Sequence, residues 1–205
     1  MKRCWVLLVA AASAFAADGP LLFYSKNFPG SQPPYVQITV SKSGDVEYRE
    51  APDDDNPLKF KLKDTETEEV FGLVEKTGGF KRPLEAPAKV AFMGTKTFRY
   101  ENGAEKDEVK FNYTQDSAAQ QLADWFERMA ESAQRRIDLE RTAKYDKLGV
   151  VKSLLLLETS LDKKRLVAPE QYLPMLDRIA KNDTYMHTAQ ARAAEIAEAI
   201  RNSKP

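Results

Sequence analysis

"VEYREAPDDDNPLKFKLKDTETEEVFGLVEK", residues 46–76, changes its hydrophobic period part-way along, and that change decides the fold class. Val46 and Tyr48, and then Leu58, Phe60 and Leu62, alternate with charged residues, which is the period of a strand with one wet face. From Asp64 onward the spacing becomes helical. Asp64 or Thr65 serves as the cap, acidic residues fill the first turn, Val70, Phe71, Leu73 and Val74 share one face, and Thr77-Gly78-Gly79 ends the run. Strands followed directly by a helix on the same apolar surface point to an α+β fold.

The pattern extends to both sides. Tyr35 to Val40 alternates, Ser41-Lys42-Ser43-Gly44 turns, and Asp45 to Glu50 runs back, so this stretch reads as an antiparallel hairpin. Further on, Lys96 to Glu101 reads as a strand, Asn102-Gly103 as a tight turn, and Glu108 to Tyr113 as the returning strand. Gln115-Asp116-Ser117 then caps a second helix with Leu122, Trp125, Phe126 and Met129 on its buried face. Residues 98–128, "FRYENGAEKDEVKFNYTQDSAAQQLADWFER", thus repeat the order of residues 46–76 with single-residue gaps, which suggests an internal ββα pseudo-repeat.

Beyond Asp116 the composition shifts to Ala, Leu, Arg and Glu. One long helix is expected to leave the sheet from Ser117 to about Lys147, passing Met129, Ala133, Ile137 and Tyr145 along one side. Gly149 pauses it, Val150 to Leu161 is a second helix, Ala168-Pro169-Glu170 opens a third with proline first, and Asn182-Asp183 precedes a last one rich in alanine. The reading is an α+β unit over residues 17–131 with an N-terminal antiparallel sheet and two helices. An all-helical C-terminal bundle over 132–205 follows, joined through the long helix.

Residues 1–16 carry a different signal. Met1-Lys2-Arg3 is a basic start, Cys4 to Phe15 is apolar or small, and Ala14-Phe15-Ala16 offers small residues where a signal peptidase cuts, so a cleaved signal peptide is expected. The apolar run is shorter than the roughly 17 to 25 residues of a spanning helix. The expected address is exported, periplasmic or secreted, with no stable membrane anchor. Of 205 residues, 31 are basic and 31 acidic, and losing Lys2 and Arg3 leaves 29 basic, a net charge of −2. Residues 17–131 hold 15 basic and 21 acidic side chains and residues 132–205 hold 14 and 10, a weak opposite bias. Cys4, the single cysteine, leaves with the leader, so the mature chain has no thiol for a disulfide, a nucleophile or a zinc site.

Candidate sites are few. "APDDDNP", residues 51–57, gathers Asp53, Asp54 and Asp55, the weak candidates for a metal ion. Calcium loops place oxygen ligands on alternate residues around a central glycine, and three consecutive aspartates fit a solvated turn better. No cofactor is expected. "GGFKRPLEAPAKVAFMGTKTFRY", residues 78–100, interleaves cations with apolar side chains, and Lys81, Arg82, Phe92, Met93, Lys96 and Arg99 form a candidate partner surface. Its simpler reading is a crossover loop leading into a strand. Neutral charge and the exported address speak against nucleic acid. His187 is the only histidine and sits four residues after Asp183, which fits a helical surface residue hydrogen-bonded to that aspartate. "KKR", residues 163–165, reads as a solvated corner.

The hairpin, strand and helix ending at Gly78-Gly79-Phe80, the second hairpin with Asp124-Trp125-Phe126, and the tail with "KLGV" (147–150) and "RLVAPEQYLP" (165–174) carry a resemblance. Over most of the mature chain they resemble a family of exported bacterial α+β domains with a C-terminal helical region. That family has no assigned function, so the resemblance implies architecture and address only. The catalytic inventory is poor, so the expected function is a non-enzymatic interaction module binding a protein or peptide of the cell envelope. The alternatives are a carboxylate-dependent hydrolase of envelope glycan or peptide, and an inhibitor of a secreted enzyme acting through an exposed loop at residues 80–95.

Overall fold

The computed structural model describes residues 19–203, so the expected signal peptide lies outside the described residues. The chain is α+β. Six strands, β1 (Leu21–Asn27), β2 (Tyr35–Ser41), β3 (Asp45–Arg49), β4 (Leu58–Lys61), β5 (Thr95–Asn102) and β6 (Glu105–Phe111), form one antiparallel sheet in the order β4-β3-β2-β1-β5-β6. Helix α1 (Asp64–Lys76) follows β4, and α2 (Ser117–Tyr145) follows β6. The β1–β2 pair is therefore central, and each flank is a hairpin followed by a helix. The remaining elements are helical: α3 (Val150–Asp162), a 3-10 turn (Pro169–Tyr172), α4 (Leu173–Ala180) and α5 (His187–Asn202).

Strand parity sets the core. The pairings Val109↔Phe98, Phe98↔Tyr24, Tyr24↔Ile38, Ile38↔Tyr48 and Tyr48↔Leu58 make a row across the sheet on the face that the helices cover. Tyr24 stacks on Phe126 of α2 with ring centroids 4.5 Å apart, and Phe71 of α1 meets Tyr100 edge-on at 6.4 Å, so both helices lie on this side. Gly44 turns β2 into β3 at φ +84, and a Cβ there would stand 2.8 Å from Thr67 Oγ1 and 3.1 Å from the Leu62 carbonyl, so both the backbone angle and the space favour glycine.

Four local expectations shift. Lys63, not Asp64 or Thr65, is the residue before α1, because its amide donates to the Glu66 carboxylate at 2.9 Å and satisfies the helix start one residue earlier. Asn102 pairs with Glu105, so the tight turn is Gly103-Ala104 with Gly103 at φ +60, and β6 begins at Glu105 and not at Glu108. The charged residues of β6 are tolerated because this is an edge strand. Pro169 opens a 3-10 turn instead of an α-helix, since Pro174 lacks an N–H and its ring would collide with the Glu170 carbonyl in a continuous helix. His187 is exposed and opens α5, so no helical turn links it to Asp183, and its Nδ1 lies 3.2 Å from Gln190 Oε1 instead.

Buried apolar residues fall into two clusters. The first joins the sheet, α1 and α2 as far as Met129 and Ala133, with Ile137 at its margin; the second takes Leu139 at the far end of α2 together with α3, α4 and α5. Helix α2 is thus shared, and its middle, from Glu127 to Gln134, carries one wall of the candidate site.

Candidate functional site

Strand parity turns Leu22 and Tyr24 of β1 and Phe98 and Tyr100 of β5 inward, and in each strand it also turns a lysine inward. Lys26 and Lys96 are paired across the strands, one register step beyond Tyr24 and Phe98, so both lysines stand on the helix-covered side of the sheet. Like charges directly opposite each other in a sheet are unfavourable, and such a pair has to be compensated. The Lys26 ammonium lies 3.6 Å from the Glu127 carboxylate of α2, too long for a hydrogen bond. Lys96 donates to the Asn112 carbonyl at 3.1 Å, and burial together with the neighbouring Lys26 charge holds its ammonium below the usual lysine range.

Next to this pair, an open cleft of about 320 Å³ separates α2 from the β1–β2 end of the sheet. Tyr24 and Lys26 form its floor, Glu127, Glu131 and Gln134 come from successive turns of α2, and Arg165 closes one end. Positions 127, 131 and 134 share a helix face by spacing alone. The loop between β1 and β2 makes the opposite wall. It is held by the Ser31 hydroxyl, 2.8 Å from the Phe28 carbonyl and 2.7 Å from the Pro33 carbonyl, and its Gln32–Pro33 bond is cis.

Most polar groups around the cleft are already engaged. Arg165 donates to Asp124 at 2.6 Å and to Glu131 at 3.2 Å, and Glu131 also accepts from the Ser160 hydroxyl at 2.7 Å. Gln134 donates to the Tyr48 hydroxyl at 3.1 Å, and Tyr48 in turn donates to Glu50 at 2.9 Å. Tyr24 is the exception. Only 1% of it is exposed, its hydroxyl has no hydrogen-bond partner among the described residues, and burial followed by the Glu127 charge pushes that hydroxyl well above the ordinary tyrosine range. Burying a hydroxyl unpaired costs roughly 1–3 kcal/mol, so a native structure keeps one only with a reason.

Both carboxylates of the cleft already serve as ion-pair partners, Glu127 of Lys26 and Glu131 of Arg165. His187 is not among its lining residues. No nucleophile with an adjacent base lines the cleft, so the Ser–His type of constellation is not formed there.

The residues singled out from sequence are scattered by comparison. Asp53 and Asp55 are exposed, and Asp54 accepts from the Asn56 amide at 2.9 Å in an Asx-type turn. Among the described residues no group of three or more His, Cys, Asp or Glu side chains is placed to hold a metal ion. Of the candidate partner surface, Lys81 pairs with Glu105 at 3.8 Å, Arg82 with Asp116, and Arg99 stacks over Phe23 at 4.0 Å on the opposite face of the sheet from Lys96. Phe92 and Met93 remain exposed on an irregular arm between α1 and β5, with Phe92 edge-on to Phe28 at 6.4 Å. Asn112 clasps that arm, accepting from the Met93 amide at 2.8 Å and donating to the Ala91 carbonyl at 3.2 Å. Of the six, only Lys96 adjoins the cleft. Sequence reasoning missed Tyr24, Lys26, Glu127, Glu131 and Arg165; the available signal was a lysine at an inward strand position in both β1 and β5.

Among the described residues no helix is long and apolar enough to cross a membrane. No protein-family model matches the chain. No curated protein matches it either.

Proposed function

We propose that this is an exported cell-envelope protein, periplasmic or secreted, that works as a non-enzymatic interaction module and takes a protein or peptide ligand in the cleft between α2 and the sheet. The observation that carries the reading is the unpaired Tyr24 hydroxyl, buried at the floor of an open cleft of about 320 Å³ beside two inward lysines. A ligand-sized cleft with a few convergent polar groups is the usual form of a binding site. The finer architecture belongs to the same proposal: two ββα units about the central β1–β2 pair, a helical bundle after them, and kinship with exported bacterial α+β domains that carry no assigned function. Export rests on the basic and apolar start of the chain.

A second reading has its own support. Val90, Phe92 and Met93 are 45%, 59% and 53% exposed on the irregular arm, a feature suited to an inhibitor that presents a loop to a secreted enzyme. The hydrolase reading keeps Glu127 and Glu131 as its only cleft carboxylates and has less behind it, since both are ion-paired.

Ala130 lines the cleft and is half-buried, so Ala130→Trp fills the space while leaving every residue of the sheet unchanged. The protein and this variant, each checked for an unchanged thermal midpoint, are used to retain partners from the envelope fraction of the native cells. The proposal expects a partner retained by the natural chain and lost with Ala130→Trp. Equal retention by both moves the interaction away from the cleft, and loss only on truncation of Phe92 and Met93 favours the arm.

A further inference from the structure

Four features of the cleft converge on one ligand group. Tyr24 offers an O–H donor whose oxygen is held in place, since its ring is stacked on Phe126 at 4.5 Å with planes 8° apart. Lys26 offers an ammonium whose one ion-pair contact, to Glu127, is long at 3.6 Å, which leaves N–H capacity unused. Lys96, across the strand from Lys26, adds a second positive charge on the same face. Against these stand Glu127 and Glu131 along α2, which limit how much negative charge the cleft tolerates. The balance suits a single negative charge and disfavours a dianion such as phosphate.

We propose that the cleft captures one carboxylate, that of a peptide chain end, between the Lys26 ammonium and the Tyr24 hydroxyl, with Glu127 beside them to accept an N–H from the same ligand. The carboxylate gives Tyr24 the acceptor it lacks and draws Lys26 from a long contact into a charge-assisted hydrogen bond. It also offsets the repulsion of two lysines set opposite each other. A volume of about 320 Å³ holds a residue or two of extended chain, so the cleft reads an end and not a long segment. This assignment rests on the cleft being the binding site proposed above.

The test is titration of the full chain, followed by NMR shifts and calorimetry, with acetyl-Ala-Ala-Ala as the free acid. Parallel titrations use its C-terminal amide, an amidated peptide bearing one aspartate, acetate, and inorganic phosphate. The free acid is expected to bind saturably and at least about tenfold more tightly than the amide, and Lys26→Met and Tyr24→Phe are each expected to weaken it by about tenfold or more. Tyr24→Phe removes an unpaired hydroxyl and so keeps the fold intact, which separates lost affinity from lost structure. Equal binding of the aspartate peptide or acetate overturns the chain-end assignment in favour of any carboxylate. Equal binding of acid and amide, tighter binding of phosphate, or affinity unchanged in both variants overturns the carboxylate site altogether. If no probe binds while Ala130→Trp still loses its partner, the ligand chemistry fails and the interaction module stands. If the acid binds as expected and Ala130→Trp loses nothing, the carboxylate site stands and the module reading fails.

Discussion

Tyr172 and Tyr24 are both almost completely buried, at 0% and 1% exposure, and their hydroxyls meet opposite fates. In the helical region, Tyr172 donates to the Ser132 carbonyl at 2.5 Å, and the Ser132 hydroxyl in turn accepts from the Val167 amide at 2.9 Å. In the sheet region, the Tyr24 hydroxyl reaches no partner among the described residues. The wider packing differs in the same sense. The helical cluster is built from leucines and from Ala189, Ala193 and Ala197, small residues that let helices approach closely, and its buried tyrosine closes a polar contact. The sheet cluster is built from large rings, Tyr24, Tyr48, Phe98 and Phe126 among them, and it stops short at a cleft with inward lysines. The helical region pairs the hydroxyl it buries deepest, and the sheet region leaves one unpaired beside its cleft at some cost in stability, which is where binding is expected.

The largest effect that sharpens this contrast is expected at Phe98, which is fully buried and lies 5.1 to 5.8 Å, centroid to centroid, from the rings of Tyr24, Phe80, Phe111 and Phe126. Phe98→Ala should lower stability by about 3–5 kcal/mol in urea unfolding, because four rings cannot collapse into the gap together. Tyr172→Phe comes next. It leaves the buried Ser132 carbonyl without this donor, and a loss of about 1–3 kcal/mol is expected by the same measurement. A null result there would erase the difference between the two tyrosines.

Much of the fold was legible in the sequence. Period-two alternation located the β2–β3 hairpin, β4 and β5, and punctuation by glycine and proline located the helices, because both signals are local. Strand β1 was harder to see, since Leu21, Leu22, Phe23 and Tyr24 run apolar without alternation and Lys26 then occupies an inward position. Its place at the centre of the sheet is a matter of pairing with β2 and β5, which no local pattern encodes. The cleft was invisible for a related reason. Glu127 and Glu131 look like solvated helix positions, and Arg165 like part of a charged corner, until α2 is laid over β1 and the chain after α3 returns to it. The 78–100 stretch misled in the other direction. Its cations and rings are adjacent in sequence, but strand parity sends Lys96 and Arg99 to opposite faces.

The smallest effect is expected at the aspartate turn. Asp53, Asp54 and Asp55 changed together to asparagine should shift stability by no more than about 0.5 kcal/mol, with or without added calcium, because the side-chain carbonyl of Asp54→Asn can still accept from the Asn56 amide. A calcium-dependent midpoint that disappears in the triple variant would show that the loop holds an ion.

Tyr24→Phe, read for stability and for binding in one set of samples, tests the central claim most directly. The account predicts an unfolding midpoint equal to or above that of the natural protein, together with an affinity for acetyl-Ala-Ala-Ala lowered by about tenfold or more. A loss of stability as large as that of Tyr172→Phe, with affinity unchanged, would mean that the Tyr24 hydroxyl serves the fold and that the cleft is not the binding site.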